Sequence, residues 1–311
     1  MASGRGSWRS NTTAALVLAA FLAGSALVAP ARSLPAPALF RETWIDGTAA
    51  GEPETQVQAI DGDTFVIRQS VKTNFEAPFL YLLFGQDRIL LVDTGAENGV
   101  LRPTVDRVIG EWLAAHHRGQ LPLIVAHSHS HGDHIAGDAA FRERPNTTVI
   151  GLKPADVASF FGMKNWPQSI AIFDLGGRAL SIIPTPGHQA AHIMIYDPRT
   201  QILLSGDALY PGRLYVPVNH MDEERASIDR LAAFAATHPI RAALGAHIEM
   251  TRTPGRDYVQ QALAHPDEHR LELSPGSIGA LQNGLKAPLE REWHGQVHDD
   301  FIVYPVPPRP Q

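Results

Sequence analysis

The run His127-Ser128-His129-Ser130-His131-Gly132-Asp133-His134 packs four imidazoles and a carboxylate into eight positions. In extended chain, residues two apart project to the same side, so His129 and His131 can grip one ion. Gly132 lets the backbone bend, which allows Asp133 and His134 to swing toward a second position. Imidazole and carboxylate are ordinary ligands for zinc and similar divalent ions. A solvated histidine-rich loop with adventitious metal affinity would carry the same letters, so the weight falls on what else the chain supplies. Three further segments contribute. His188 closes Pro184-Thr185-Pro186-Gly187-His188, Asp207 closes Ser205-Gly206-Asp207, and His247 closes Gly245-Ala246-His247. Each alone reads as a cap or a surface residue. Together, five histidines and two aspartates each sit just past a strand, in an order that suits two adjacent metals.

The elements that must position these residues are legible as short apolar runs. Thr64–Ile67, Phe79–Phe84, Ile89–Val92 and Leu123–Ala126 read as strands, with Gly85-Gln86-Asp87 as a turn between the second and third. Val149-Ile150, Leu180–Ile183, Ile193–Tyr196, Ile202–Leu204 and Ala242–Leu244 read the same way, and Phe301–Tyr304 is a late apolar run. Helical spacing places Val105, Val108, Ile109, Trp112 and Leu113 on one face of a helix over 100–117. A second helix runs from a cap at Asp222 to about Thr237, with Ile228, Leu231, Phe234 and Ala235 on one face. Helices and strands alternate in both halves, so the class is mixed α/β (α+β). No short internal repeat is present.

Composition narrows the chemistry. The 311 residues are 44% hydrophobic and 19% charged, which is globular composition. Formal net charge is −6 with no long basic run, so a nucleic-acid partner gains no electrostatic support. Cysteine is absent and histidine numbers 15, so any metal site must be built from His and carboxylates. At the N-terminus, Arg5 and Arg9 precede an apolar run over 14–28, and Ala29-Pro30-Ala31 offers a small-x-small cleavage site. The run is shorter than the roughly 20 residues of a membrane span. The organisation expected is an export signal over 1–31, an extended lead-in over 32–60, a catalytic domain over 61–254, and a C-terminal extension over 255–311 packed on that domain. The mature chain is then periplasmic or secreted, without stable membrane insertion.

The motifs HSHGDH, TPGH, SGDALY and the late GAH resemble the metallo-β-lactamase superfamily over about residues 61–250. That resemblance implies a four-layer αββα sandwich with metals at one edge between two sheets. Carried over, His129, His131 and His188 form a first metal site, and Asp133, His134 and His247 a second. Asp207 resembles the bridging carboxylate of glyoxalase II-like and lactonase-like members. Leu91-Val92-Asp93-Thr94-Gly95 resembles the aspartate-glycine motif that supports the metal loop, with Asp93 orienting ligands. Only a frame starting at His129 supplies Asp133 and His134, so His127 is a neighbour and not a ligand. His192 carries no assigned role.

The cofactors implied are two divalent ions, zinc foremost, with manganese and iron compatible with the same ligands. Two such ions share a water and lower its pKa, and the hydroxide attacks a polarised carbonyl. Asp133 would orient the water or shuttle a proton. Tyr210 would hydrogen-bond the carbonyl, against the plain alternative of an aromatic that packs the loop. The expected function is an exported dinuclear hydrolase of an ester, thioester or lactone, acting on a small-molecule substrate. The alternatives are a β-lactamase, a phosphodiesterase, and a non-catalytic binding protein on the same scaffold.

Overall fold

A computed structural model of the chain describes residues 1, 2, 4, 38–286 and 295–308. The expected export segment lies outside the described residues except at positions 1, 2 and 4. Among the described residues, no helix is long and apolar enough to cross a membrane.

Six strands make the first sheet in chain order: β1 (Thr55–Asp61), β2 (Thr64–Gln69), β3 (Phe79–Phe84), β4 (Ile89–Val92), β5 (Leu123–Ala126) and β6 (Thr147–Val149). β1 to β4 pair antiparallel as a meander, and β4, β5 and β6 run parallel. The parallel steps need crossovers. Helix α1 (Arg102–Ala115) makes the first; the metal-loop helices α2 (Gly132–Ile135) and α3 (Asp138–Arg142) make the second. Helix α4 (Pro154–Phe161) then leads to the second sheet. That sheet contains β7 (Ala171–Asp174), β8 (Ala179–Pro184), β9 (Ile193–Asp197) and β10 (Ile202–Gly206). The chain next forms β11 (Arg213–Pro217) and helix α5 (Met221–Ala235). It returns as β12 (Ala242–Gly245), parallel to β10, and β13 (Glu272–Leu273). Helix α6 (Gly276–Lys286) follows, and β14 (Gln296–Val297) and β15 (Ile302–Val306) join β11 in a small third sheet.

The four layers follow from residue alternation. Successive side chains of a strand point to opposite faces, and a strand buried on both faces reads as one apolar run. In β3, Phe79, Tyr81 and Leu83 face the layer between the sheets, where Leu180, Ile182, Ile195, Leu204 and Leu244 come from the other side. Leu80, Leu82 and Phe84 face the opposite way, onto Val105, Val108, Ile109 and Trp112 of α1. The second sheet repeats the pattern: Met194, Tyr196, Leu203 and Ala243 pack on Ile228, Leu231 and Phe234 of α5 and Ile278 and Leu281 of α6. Three apolar layers between helix, sheet, sheet and helix make the αββα sandwich.

Three boundaries differ from the sequence expectation. The lead-in over 32–60 already contains β1, whose Thr55–Ala59 segment pairs along β2; its polar composition suits an edge strand with little burial. No boundary falls at 254, because β13 extends the second sheet and α6 packs on α5. The C-terminal part is built into the sandwich. Asp222 does not cap α5. A single 3-10 turn over Val218–His220 runs into the helix, His220 stands at the cap position, and Asp222 pairs with Arg225 at 2.8 Å.

This architecture gathers one edge. β4 and β5 are parallel, as are β10 and β12, and β8 runs with β10 because each is antiparallel to β9. Their C-terminal ends therefore lie together. Backbone bonds tie the sheets there: Ile193 N–H donates to the Ser128 carbonyl and Phe79 N–H to the Ala246 carbonyl, each at 2.8 Å. The Tyr81 hydroxyl donates to the Gly245 carbonyl.

Candidate metal centre

Each expected ligand stands on a turn fixed by its own local chemistry. Asp93, just past β4, adopts φ 68°, in the left-handed region that aspartate tolerates better than most residues. There it accepts from the Ser128 N–H at 2.7 Å and the Ser128 hydroxyl at 2.8 Å. Those bonds hold the metal loop at the end of β5. At Gly187, φ is 152° and a Cβ would lie 2.1 Å from Glu224 Oε2. Only glycine leaves room for the Glu224 carboxylate to accept from the His188 N–H at 2.9 Å. At Gly206, φ is 52° and a Cβ would lie 2.7 Å from the His192 ring.

The seven expected ligands converge into two adjoining groups, His129, His131 and His188 in one and Asp133, His134, Asp207 and His247 in the other. His129 Nε2 lies 2.8 Å from His131 Nδ1 and 3.2 Å from His188 Nε2, and the latter two are 3.0 Å apart. In the second group His134 Nε2 is 3.3 Å from His247 Nε2, and Asp133 Oδ2 is 3.2 and 3.3 Å from them. Donors about 2.0–2.1 Å from a tetrahedral ion lie roughly 3.3–3.4 Å from one another. The observed spacings fit donors sharing an ion in each group. Asp207 reaches both: Oδ2 is 3.7 Å from His129, 3.6 Å from His188 and 3.5 Å from His134, and Oδ1 is 3.4 Å from His247. Asp207 Oδ1 is buried and has no hydrogen-bond partner. A buried lone pair without a donor is costly unless something else satisfies it, and a cation does so.

In His188, His247 and His134 the opposite nitrogen is held by an acceptor, which turns the converging nitrogen toward the ion position. His188 Nδ1 donates to the Tyr215 carbonyl at 2.6 Å, His247 Nδ1 to the Glu76 carbonyl at 2.7 Å, and His134 Nδ1 to Asp93 Oδ2 at 3.0 Å. Electrostatics agree with the division. Burial and the neighbouring imidazoles His134, His188 and His131 push His129 well below the ordinary histidine range. Burial also lowers His247, but the Asp207 and Asp133 carboxylates outweigh it and lift the imidazole to about 10. Burial raises Asp207, and His247 and His134 overcome it to hold the carboxyl low.

The sequence model of the metallo-beta-lactamase superfamily matches residues 74–238. The chain belongs to the metallo-beta-lactamase superfamily. It is 28% identical over 177 residues to a hydroxyacylglutathione hydrolase of Rhizobium meliloti, covering 53% of this chain and 68% of that protein. It is 34% identical over 116 residues to a hydroxyacylglutathione hydrolase of Ruegeria pomeroyi, covering 34% and 42%. A metallo-beta-lactamase from Pontibacter korlensis aligns structurally with a TM-score of 0.45 at 17% identity, covering 62% of this chain and 91% of that one. This superfamily member is accordingly a metal-dependent hydrolase.

The remaining expected residues take definite places. His127 stands outside both ligand groups, with Nε2 3.2 Å from Asp138 Oδ1. His192, unassigned from sequence, accepts from the Asp207 N–H at 3.2 Å and contacts the Thr185 hydroxyl at 2.7 Å, so it steadies the Asp207 turn. Tyr210 departs from expectation. It lines the cavity over the site, but its hydroxyl donates to the Arg213 carbonyl and lies 3.1 Å from Glu249 Oε2. The phenol proton is engaged by the protein, and the ring packs 5.6 Å from His247 as part of the wall. Glu224, Glu249, Arg213 and the Tyr215 carbonyl were not singled out from sequence. The Leu214/Val216 alternation in Arg213–Pro217 marks β11 and was the available signal for the last of these.

Because Asp93 aims His134 and fixes Ser128, Asp93→Asn should weaken metal binding by about 10–100-fold while keeping the left-handed turn. Competition with a chromophoric chelator measures this. Native affinity in the folded variant would remove Asp93 from the metal loop.

Proposed function

We propose that this chain is a dinuclear hydrolase of carboxylic esters, thioesters or lactones. Asp207 carries the reading: one carboxylate lies within 3.7 Å of donors in both ligand groups. The hydroxyacylglutathione hydrolases among its relatives support a carbonyl substrate. When bound, the ions supply Lewis acidity and make water a nucleophile near neutral pH. His129, His131 and His188 would hold one ion and Asp133, His134 and His247 the other, with Asp207 between them. Asp133 turns Oδ2 toward His134 and His247, is partly exposed at 22% and lines the cavity, so its other oxygen would orient the attacking water and pass on its proton. Water adds to the carbonyl carbon, the C–O or C–S bond breaks, and Asp133 returns the proton to the leaving alcohol or thiol. The products are a carboxylic acid, which ionises to its carboxylate and one released proton, and that alcohol or thiol.

The test is metal analysis with a panel of substrates. Protein reconstituted with zinc, manganese or iron should hold about two ions per chain and lose activity on chelation. It should hydrolyse at least one of an ester, a thioester and a lactone faster than nitrocefin or a phosphodiester. Less than about half an equivalent of metal in folded protein, or turnover confined to nitrocefin or the phosphodiester, would overturn the proposal.

A further inference from the structure

The cavity over the centre encloses about 480 Å³ and extends well beyond the ligands. Beyond the ligands its lining is aromatic and aliphatic at Phe75, Tyr215, Tyr258 and Val259, and includes the carboxyl-bearing Glu76 and Glu249. Arg213 is the one lysine or arginine among the described lining residues. Its guanidinium is already occupied. Nη1 donates to Asp257 Oδ2 at 2.7 Å and to the Tyr258 carbonyl at 2.8 Å, Nη2 to Glu249 Oε1 at 3.1 Å, and Nε to the Tyr215 hydroxyl at 2.8 Å. Two carboxylates share this one cation, Glu249 on the lining and Asp257 behind it, so the cluster of three is formally net negative. The lining His265 is turned to Glu268, 3.1 Å away.

We infer that this site selects carbonyl substrates whose leaving group is uncharged, and that Arg213 with Glu249 and Asp257 is the element that rejects an anion there. The inference rests on the hydrolase reading and deepens it. A carboxylate on the leaving group would lie against Glu249, with Asp257 behind it holding the same guanidinium, and like charges brought together oppose binding. An amide or alkyl leaving group meets the same wall without that repulsion and gains the aromatic contact.

The test uses a nearly isosteric pair, the acetyl thioesters of 3-mercaptopropionamide and 3-mercaptopropionate, with metal-loaded enzyme. Both present the same carbonyl to the ions, so their ratio reads the rest of the cavity. The amide should be preferred at least about tenfold in kcat/KM, with the difference shrinking as salt screens the wall. Asp257→Asn, which leaves Arg213 one carboxylate, should shift the ratio at least about threefold toward the acid. Equal or faster turnover of the acid, or an unchanged ratio in Asp257→Asn, would overturn the inference. The non-hydrolysable thioether analogues, titrated by calorimetry, read the same preference without turnover. Hydrolysis of neither thioester, ester nor lactone would sink the hydrolase reading, while equal binding of the two thioethers would separately sink the charge selection.

Discussion

Asp207→Ala should lose the more weakly held ion and at least about a hundredfold in kcat/KM, the scale seen when partners that support a metal site are removed. The carboxylate is 6% exposed and sits between donors of both groups. Without it, two cations a few ångströms apart face each other with no negative charge between them, and repulsion at that distance in a buried setting is large. Removing a side chain at a surface turn would cost almost nothing, so the experiment separates a bridging role from a loop role. Metal stoichiometry and kcat/KM on the same preparation are the measurements. Two retained ions with near-native turnover would reduce Asp207 to a turn residue. Asp207→Cys should restore a ligand atom without restoring full ester or lactone hydrolysis, because one soft sulfur cannot reproduce two carboxylate oxygens.

The second large effect is expected on stability, far from the ligands. Arg68 of β2 is fully buried and its two terminal nitrogens donate to the two oxygens of Glu268 at 2.5 Å each. Glu268→Ala leaves a guanidinium with no counter-charge in an interior where Nε already lacks a partner. The expected loss is about 3–5 kcal/mol in denaturant unfolding. Replacing both residues, as in Arg68→Met with Glu268→Leu, should recover most of it, because the stranded charge is gone. The pair also holds a cavity wall. Glu268 lies 3.1 Å from His265 Nδ1, whose ring stacks on Tyr258 at 4.4 Å. The double variant should therefore raise KM more than it lowers kcat. A Glu268→Ala chain as stable as the parent would show that the charge is hydrated.

The centre was legible because metal chemistry restricts residue type, and strand ends restrict position. His129, His131, Asp133 and His134 lie within six residues, and His188, Asp207 and His247 each follow an apolar run that can only be a buried strand. Of the groups that hold these ligands Asp93 was legible and the others were not, for a physical reason. Glu224 reaches His188 from a helix 36 positions away, and the Tyr215 carbonyl is a backbone atom that any residue supplies. The cavity wall over 258–265 is irregular backbone with no period to read, and its placement depends on the Arg68–Glu268 pair across 200 positions. β1 was missed because an edge strand can afford polar residues, so its alternation is weak.

The two ligand groups draw from both sheets. The loop after β5 supplies His129, His131, Asp133 and His134, while the ends of β8, β10 and β12 supply His188, Asp207 and His247. Any ion bound there is thus a covalent-like cross-link between segments 59 and 113 positions apart in a chain that has no cysteine. Such a link removes conformational freedom from the unfolded chain much as a disulfide does, and long loops gain most. Unlike a disulfide, it is indifferent to thiol reductants and answers to free metal concentration. Beyond the backbone bonds that tie the sheets at this edge, its resistance to opening would then rise and fall with the metal supply of the surroundings, and scarcity of the ion should leave the edge more open to proteolysis.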